Sequence, residues 1–188
     1  MKRIALGVRQ AIAAYAHNDD PLAATANTVA LLVASSQPFY PLYVYWSVGP
    51  VIWPTFVTFL STPFFLAVPA LNRLNTTAGR ALLPLAGIAN TVLSTAAFGV
   101  GAGTEIFLIP CALLAALLFR PAERLPAVGL VGLAISVFLV LHTRYGAPLH
   151  TYSPEEYRNF LSLNAMSAGL LTAIIGFMAA TMIATGRR

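Results

Sequence analysis

The sequence predicts an all-α polytopic membrane protein, a bundle of six transmembrane helices with both termini in the cytoplasm and a short N-terminal amphipathic helix. Of the 188 residues, 58% are hydrophobic and only 9% are charged, whereas a soluble domain carries about 45–50% apolar and about 25% charged residues. Six apolar stretches are each long enough to cross a bilayer. The basic residues also alternate in density from one connection to the next, as they do between cytoplasmic and outer loops.

Residues 1–20 are predicted to form a cytoplasmic amphipathic segment, and residues 21–186 the transmembrane domain. A cleavable signal peptide is not expected, because Arg9 interrupts the apolar stretch that would form its core. The apolar residues of the segment recur at helical spacing, and its basic residues suit contact with anionic lipid headgroups. These apolar and basic residues are Ile4, Val8, Ile12 and Tyr15, and Lys2, Arg3 and Arg9.

Helix-start signals mark the first and the last predicted span. Asp20 can cap a helix whose first turn holds Pro21. Ser153, Pro154 and Glu156 combine a serine cap, a first-turn proline and a glutamate three residues after the cap. The six predicted spans run approximately from Pro21 to Trp46, Pro50 to Leu71, Ala81 to Val100, Gly103 to Phe119, Pro126 to His142 and Ser153 to Thr185.

The Lys and Arg residues determine the predicted orientation. Nine of the eleven lie in the N-terminal segment, after spans two and four, and at the C-terminus. Because short loops rich in Lys and Arg stay cytoplasmic, both termini are predicted to be cytoplasmic. High Ala and Leu, with more Arg than Lys, indicate a bacterium, so the expected location is its inner membrane. The nine are Lys2, Arg3, Arg9, Arg73, Arg80, Arg120, Arg124, Arg187 and Arg188, and the other two are Arg144 and Arg158.

The usual signatures of catalysis are missing from the sequence. It contains no P-loop, no paired histidines at metal-ligand spacing on a helix, and no nucleophile elbow. The single Cys111 lies in an apolar run, which excludes a disulfide framework or a cysteine zinc site. Membrane orientation accounts for the basic residues. We therefore expect no catalytic residue, no cofactor, no metal site and no nucleic-acid partner.

Candidate ligand-binding residues lie on the predicted outer side. Glu105 falls at the outer end of span four, where an ionisable group is costly and often functional. His150 and Tyr152 belong to the longest polar connection, and Trp46 and Trp53 flank the first outer connection. The alternative interpretation is a solvated carboxylate, an ordinary wet loop and an interfacial aromatic anchor.

Small residues repeat every fourth position on span six, in two rows. Such rows let helix backbones approach closely in a bilayer, either inside the bundle or against a second copy of the chain. Asn90 and Asn164 are predicted to make interhelical hydrogen bonds. The rows are Ala165, Gly169 and Ala173, and Gly176, Ala180 and Ala184, with Gly169, Ala173, Gly176 and Ala180 as the predicted packing positions.

A family resemblance covers roughly residues 71–140. It rests on Leu71-Asn72-Arg73-Leu74, Arg80, Phe98-Gly99, Gly103, Glu105, Phe107 and Leu117-Leu118-Phe119-Arg120. This region resembles the six-helix membrane domains in front of bacterial class III adenylate cyclases and some sensor histidine kinases. The resemblance implies a regulatory membrane domain, usually dimeric, whose last helix leads to an output domain. Because the sequence stops at Arg188, we expect a separate cytoplasmic cyclase or kinase partner.

The preferred functional hypothesis is a non-enzymatic sensory module that responds to a lipid or small ligand and acts through a partner. One alternative is a small transporter or channel subunit, although the deep core of each span lacks charges. The other is a membrane enzyme or an accessory subunit of a membrane complex, although no span carries a histidine suited to haem ligation.

The predicted orientation can be tested with single cysteines in a Cys111→Ala background. Cysteines at Thr77 and Pro121 should resist a membrane-impermeant thiol reagent in intact cells, because both positions are predicted to be cytoplasmic. A cysteine at Thr151 should react. Labelling at Thr77 together with protection at Thr151 would reverse the orientation.

Overall fold

The structure is a computed structural model that describes residues 2–186. Every regular element in this part of the chain is helical. The eight α-helices are α1 (Lys2–Ala16), α2 (Pro21–Ser36), α3 (Tyr40–Ser47), α4 (Thr62–Leu74), α5 (Thr76–Phe98), α6 (Leu108–Leu117), α7 (Arg124–Leu141) and α8 (Pro154–Gly186). Arg187, Arg188 and the side chains of Lys2, Arg3, Ile4, Val8 and Arg9 lie outside the described residues. The lipid-facing role of α1 therefore stays a prediction.

Short 3₁₀ segments extend several of these helices. Gln37–Phe39 joins α2 to α3, Trp53–Ser61 leads into α4, Thr104–Phe107 into α6, and Pro121–Glu123 into α7. A proline at the start of a segment lacks the N–H group that a regular helix uses, which favours such interruptions. The resulting helical runs coincide with the predicted apolar stretches to within a few residues.

Four helical runs of the described part are long and apolar enough to cross a membrane. They are Trp53–Leu74, Thr76–Phe98, Pro121–Leu141 and Pro154–Met182. Thr104–Leu117 is a shorter apolar helix, and at about 1.5 Å per residue it does not cover a hydrocarbon core of about 30 Å. The prediction of an all-α fold is confirmed, and these four runs are candidate spans, whereas six crossings and the orientation stay predictions.

The connections gather at two ends of the bundle. The basic end, formed by residues 17–20, 75 and 118–123, joins Asp20 to Arg120 at 3.0 Å. The aromatic end, formed by residues 48–52, 99–103 and 142–153, contains a hydrogen bond from the Leu149 amide to the Ala97 carbonyl at 2.9 Å. The predicted alternation of the connections between two sides thus matches their placement in the fold.

Apolar clusters fill the interior between the two ends. Towards the basic end, Val29, Phe65 and Leu114 belong to one buried cluster. At the aromatic end, Phe98 stacks on Phe160 with ring centroids 5.4 Å apart. Since lipid is as apolar as a leucine side chain, such packing stabilises a membrane bundle mainly through van der Waals contact.

A fully buried arginine holds the basic end together. Arg80, in the first turns of α5, makes a two-pronged ion pair with Glu123, with N···O distances of 2.7 and 2.8 Å. The Arg80 guanidinium also donates to the Leu118 carbonyl at 2.7 Å and lies over the Phe119 ring. These contacts join α5 to the connection between α6 and α7.

Asparagines link the first helices at the same end. Asn72 Nδ2 donates to Asn27 Oδ1 at 2.7 Å, and Asn27 Nδ2 donates to the Ala16 carbonyl at 3.0 Å. Both asparagines are buried. A Cβ at Gly79 would lie 2.6 Å from the Asn72 backbone nitrogen, so only glycine allows α4 and α5 to approach this closely.

Local sequence signals are confirmed at helix starts and between helices. Asp20 Oδ1 accepts from the Leu22 amide at 2.9 Å, as the predicted cap of α2 requires. Ser153 and Glu156 exchange the two hydrogen bonds of a capping box at the start of α8. Asn90 accepts from Ser61, and Asn164 joins Tyr40 to the Ala102 carbonyl, so both predicted interhelical asparagines are confirmed.

The small-residue rows of α8 face away from the rest of the chain. All of their members are exposed. A Cβ built at Gly169 or Gly176 meets no atom within 4 Å. Packing inside the bundle therefore does not account for these rows in the described structure.

Replacing Glu123 with alanine should strongly destabilise the chain, because the fully buried Arg80 would keep a charge without its partner. Leaving a buried charge uncompensated costs about 3–5 kcal/mol. The matched control is Arg120→Ala, which removes the exposed pair with Asp20 and should cost less than about 1 kcal/mol. Apparent melting temperatures in mild detergent measure both effects. Equal melting temperatures for the two variants would contradict the structural role of Arg80.

Candidate functional site

Glu105 lies at the aromatic end, directly after a tight turn. Gly103 adopts a left-handed conformation with φ of 70°, which starts the 3₁₀ segment that carries Glu105. The Glu105 carboxyl is buried, and its Oε2 lies 2.6 Å from Nδ1 of His142, at the end of α7. His142 is half-exposed, so one side of this pair reaches the outside of the bundle.

Two buried polar atoms of this site, Glu105 Oε1 and the hydroxyl of Tyr145, make no hydrogen bond of ordinary geometry to another described residue. Burial, and secondarily the nearby Glu105 carboxyl, raises the pKa of Tyr145 above its ordinary value, against a smaller lowering by the Thr95 side chain. Tyr145 therefore stays neutral and retains its O–H group as a donor.

The other predicted outer-face residues occupy a separate part of the same end. His150 packs edge-on against Tyr152, with ring centroids 4.7 Å apart. The Tyr152 hydroxyl donates to the Val51 carbonyl at 3.2 Å. Burial, then the neighbouring Tyr157 and Glu156, raises the pKa of Tyr152 to about 12. Tyr152 thus belongs to the core and remains protonated.

The structure brings Glu105 to His142 and Tyr145 rather than to His150. No hydrogen bond, ion pair or ring contact joins Glu105 to His150 in the part of the chain described. Trp46 and Trp53 are exposed at the same end. Their exposure fits an interfacial position, which amphipathic rings favour.

A cavity of about 340 Å³ lies deeper in the bundle, within the range of small-molecule sites. The wall from α2 and α3 includes Val33, Gln37 and Tyr40, and the floor is one face of α5. The opposite walls come from α6 and α8. The α5, α6 and α8 residues are Leu83, Gly87, Asn90, Thr91 and Ser94, Pro110, Cys111 and Leu114, and Ser167, Leu170, Leu171 and Ile174.

The mouth of this cavity faces sideways. Leu32 of α2, Tyr43 of α3 and Leu170 of α8 line it and are each at least 40% exposed. The cavity therefore opens between the α2–α3 run and α8, on a surface rich in exposed apolar side chains.

The polar groups that line the cavity are uncharged. Gln37 donates from Nε2 to the Thr58 carbonyl at 3.0 Å and to Ser61 Oγ at 2.6 Å. Ser61 in turn donates to Asn90 Oδ1 at 2.9 Å. Ser94 Oγ, one turn further along α5, is buried and makes no hydrogen bond among the described residues.

Comparison with known families shows which family the chain belongs to. The family model of MASE7 matches residues 14–188. The chain belongs to the MASE7 family. This is a family of membrane-associated sensory domains, which is not catalytic. A search of curated proteins and a search of solved structures give no match.

Membership in MASE7 confirms the prediction of a membrane sensory domain. The more specific resemblance to the membrane domains of cyclases and kinases stays a prediction. Within the described residues, no group of three or more His, Cys, Asp or Glu side chains could hold a metal ion. The candidate site of this chain is a cavity lined by neutral polar groups, with Thr104 of its lining directly before Glu105 of the buried carboxyl–imidazole pair.

Sequence reasoning missed most of the cavity of this MASE7 domain. The sequence feature that could have revealed the cavity is a row of small and polar residues in the apolar helix α5. Gly87, Asn90, Thr91 and Ser94 recur at intervals of three, four and seven residues, which places them on one helix face. Sequence reasoning singled out Asn90 alone from this face, as an interhelical hydrogen-bonding residue.

Proposed function

We propose that this chain is a non-enzymatic sensory module that binds a lipid or small ligand in its lateral cavity and acts through a cytoplasmic partner. The cavity carries the proposal, because a closed structural bundle has no need of a lined space that opens to lipid. The resemblance to membrane domains of cyclases and kinases suggests a partner with one of those activities. The proposed location is a bacterial inner membrane, with both termini in the cytoplasm.

The last helix offers a route from cavity to partner. α8 lines the cavity with Ser167, Leu171 and two further residues. Near the basic end, the Thr25 hydroxyl of α2 lies 3.2 Å from the sulfur of Met182 in α8. A ligand that fits only one position of α8 would shift the population of that position. The shift would be felt at the basic end, where a cytoplasmic partner would bind.

The cavity can be tested by filling it. In a fusion of this chain to the catalytic domain of a class III adenylate cyclase, Ser94→Leu should change cyclic AMP production at least twofold, because leucine occupies space meant for a ligand. The matched control is Ser35→Leu, at an exposed position outside the cavity. Equal activity of wild type and both variants, at equal expression, would count against a sensory cavity.

The predicted outer-face residues can be tested in the same fusion. Glu105→Gln and His150→Gln should each reduce the cyclic AMP response if these residues take part in ligand binding.

We further propose that two copies associate through α8. The support is that both small-residue rows are exposed, with open space beside Gly169 and Gly176. Close backbone approach at small residues is a common mode of helix association in bilayers.

Gly169→Leu or Gly176→Leu should weaken this association at least tenfold, because each leucine would separate the two backbones. Gly132→Leu on α7 is a matched control, since Gly132 also has open space around it but lies outside the rows. Light scattering in mild detergent measures the oligomeric state. If all three variants remain as dimeric as the wild type, α8 is not the interface.

A further inference from the structure

We infer that the cavity ligand is an uncharged amphiphile, an alkyl chain or ring bearing one carbonyl or hydroxyl oxygen, held through that oxygen by Ser94 and Asn90. This inference rests on the proposed function, since it names the class of ligand for the same cavity. Four observations carry it, and each concerns a different property of the lining.

The first observation is the unused hydroxyl of Ser94. Helical Ser and Thr side chains commonly donate to the carbonyl four residues earlier. Thr91 does so to Gly87 at 2.9 Å, and Thr95 does so to Thr91 at 2.8 Å. Ser94, between them on the same helix, is 4% exposed, lines the cavity and makes no such bond. The hydroxyl itself is buried, and a rotation about the Ser94 Cα–Cβ bond would turn it towards a molecule in the cavity.

The second observation concerns the neighbouring amide. Asn90 lies four residues before Ser94, and side chains at this spacing are neighbours on a helix face. Asn90 Oδ1 accepts from Ser61, while its NH₂ group has no described partner. Ser94 and Asn90 thus carry an O–H and an N–H group on one helix face, from which both can turn towards the cavity. A single carbonyl or hydroxyl oxygen can accept from both.

The third observation is the absence of charge. The side chains that line the cavity include no Asp, Glu, Lys, Arg or His. An ionised group in an apolar space without a counter-charge is strongly unfavourable. A carboxylate, a phosphate or an ammonium group is therefore a poor occupant, and a phospholipid headgroup is excluded on the same ground.

The fourth observation is that the cavity lining and the surface around its mouth are apolar. The lining is mostly apolar, with Phe65, Leu83 and Leu114 among its members. The mouth lies between α2–α3 and α8, where apolar side chains face outward. The remainder of the ligand is therefore apolar, and it partitions into the bilayer before it enters the cavity.

The test uses the full chain in phosphatidylcholine vesicles and a diazirine-bearing octanol as photolabel. Label should appear on peptides of α5, α6 or α8 that line the cavity. Unlabelled octanol should compete, whereas octane and the permanently charged octanesulfonate should compete at least tenfold more weakly. Ser94→Ala should weaken labelling about two- to twelve-fold, the range of one hydrogen bond. Ser162→Ala, an exposed α8 serine outside the cavity, should leave it unchanged.

The outcomes separate the ligand class from the proposed function. If octanesulfonate or octane competes as well as octanol, the cavity binds ligands but the uncharged, oxygen-bearing class is wrong. If Ser94→Ala labels like the wild type, the assignment of Ser94 is wrong. If the cavity peptides take no label that octanol can displace, a lipid-accessible binding cavity is wrong, and the proposed function fails with it.

Discussion

Burial away from water governs the fold, because each buried polar group then needs a partner within the chain. Arg80 shows the constraint at its strictest. Its guanidinium is fully buried and is satisfied by Glu123, the Leu118 carbonyl and the Thr76 carbonyl. These partners come from the start of α5 and from the connection between α6 and α7. A shift of either element would leave a charge without compensation, so the ion pair fixes their relative position.

Four buried side-chain atoms of the described residues depart from this rule, because they make no hydrogen bond of ordinary geometry: Asn72 Oδ1, Ser94 Oγ, Glu105 Oε1 and the Tyr145 hydroxyl. Asn72 Oδ1 faces the close approach of α4 to α5 at Gly79, which explains it by packing. Of the other three, Ser94 Oγ belongs to a residue that lines the cavity, and Glu105 Oε1 and the Tyr145 hydroxyl lie at the Glu105–His142 site. Thr104 links the two places, since it lines the cavity and precedes Glu105.

The helices were predictable from the sequence because their signals are local. Apolar length locates each run, and the caps at Asp20 and Ser153 depend on residues within one turn. The contacts between helices were not predictable, because hydropathy does not determine how each helix is rotated about its axis. Glu105 pairs with His142 rather than His150 for this reason. Arg80 shows a related limit, since the charge rule assigns it a side of the membrane but not a depth.

α8 carries both features on which the proposed signalling depends. One face lines the cavity, and the opposite exposed face carries the small-residue rows with Gly169 and Gly176. A ligand and a second copy of the chain would therefore act on the same helix from opposite sides. If the ligand binds one α8 position tenfold more tightly than another, the equilibrium between them shifts by about 1.4 kcal/mol. By linkage, if the ligand strengthens a dimer that prefers the same position, dimerisation strengthens ligand binding by the same factor. Gly169→Leu would then weaken ligand binding without touching the cavity, and this effect distinguishes coupling through α8 from two independent sites.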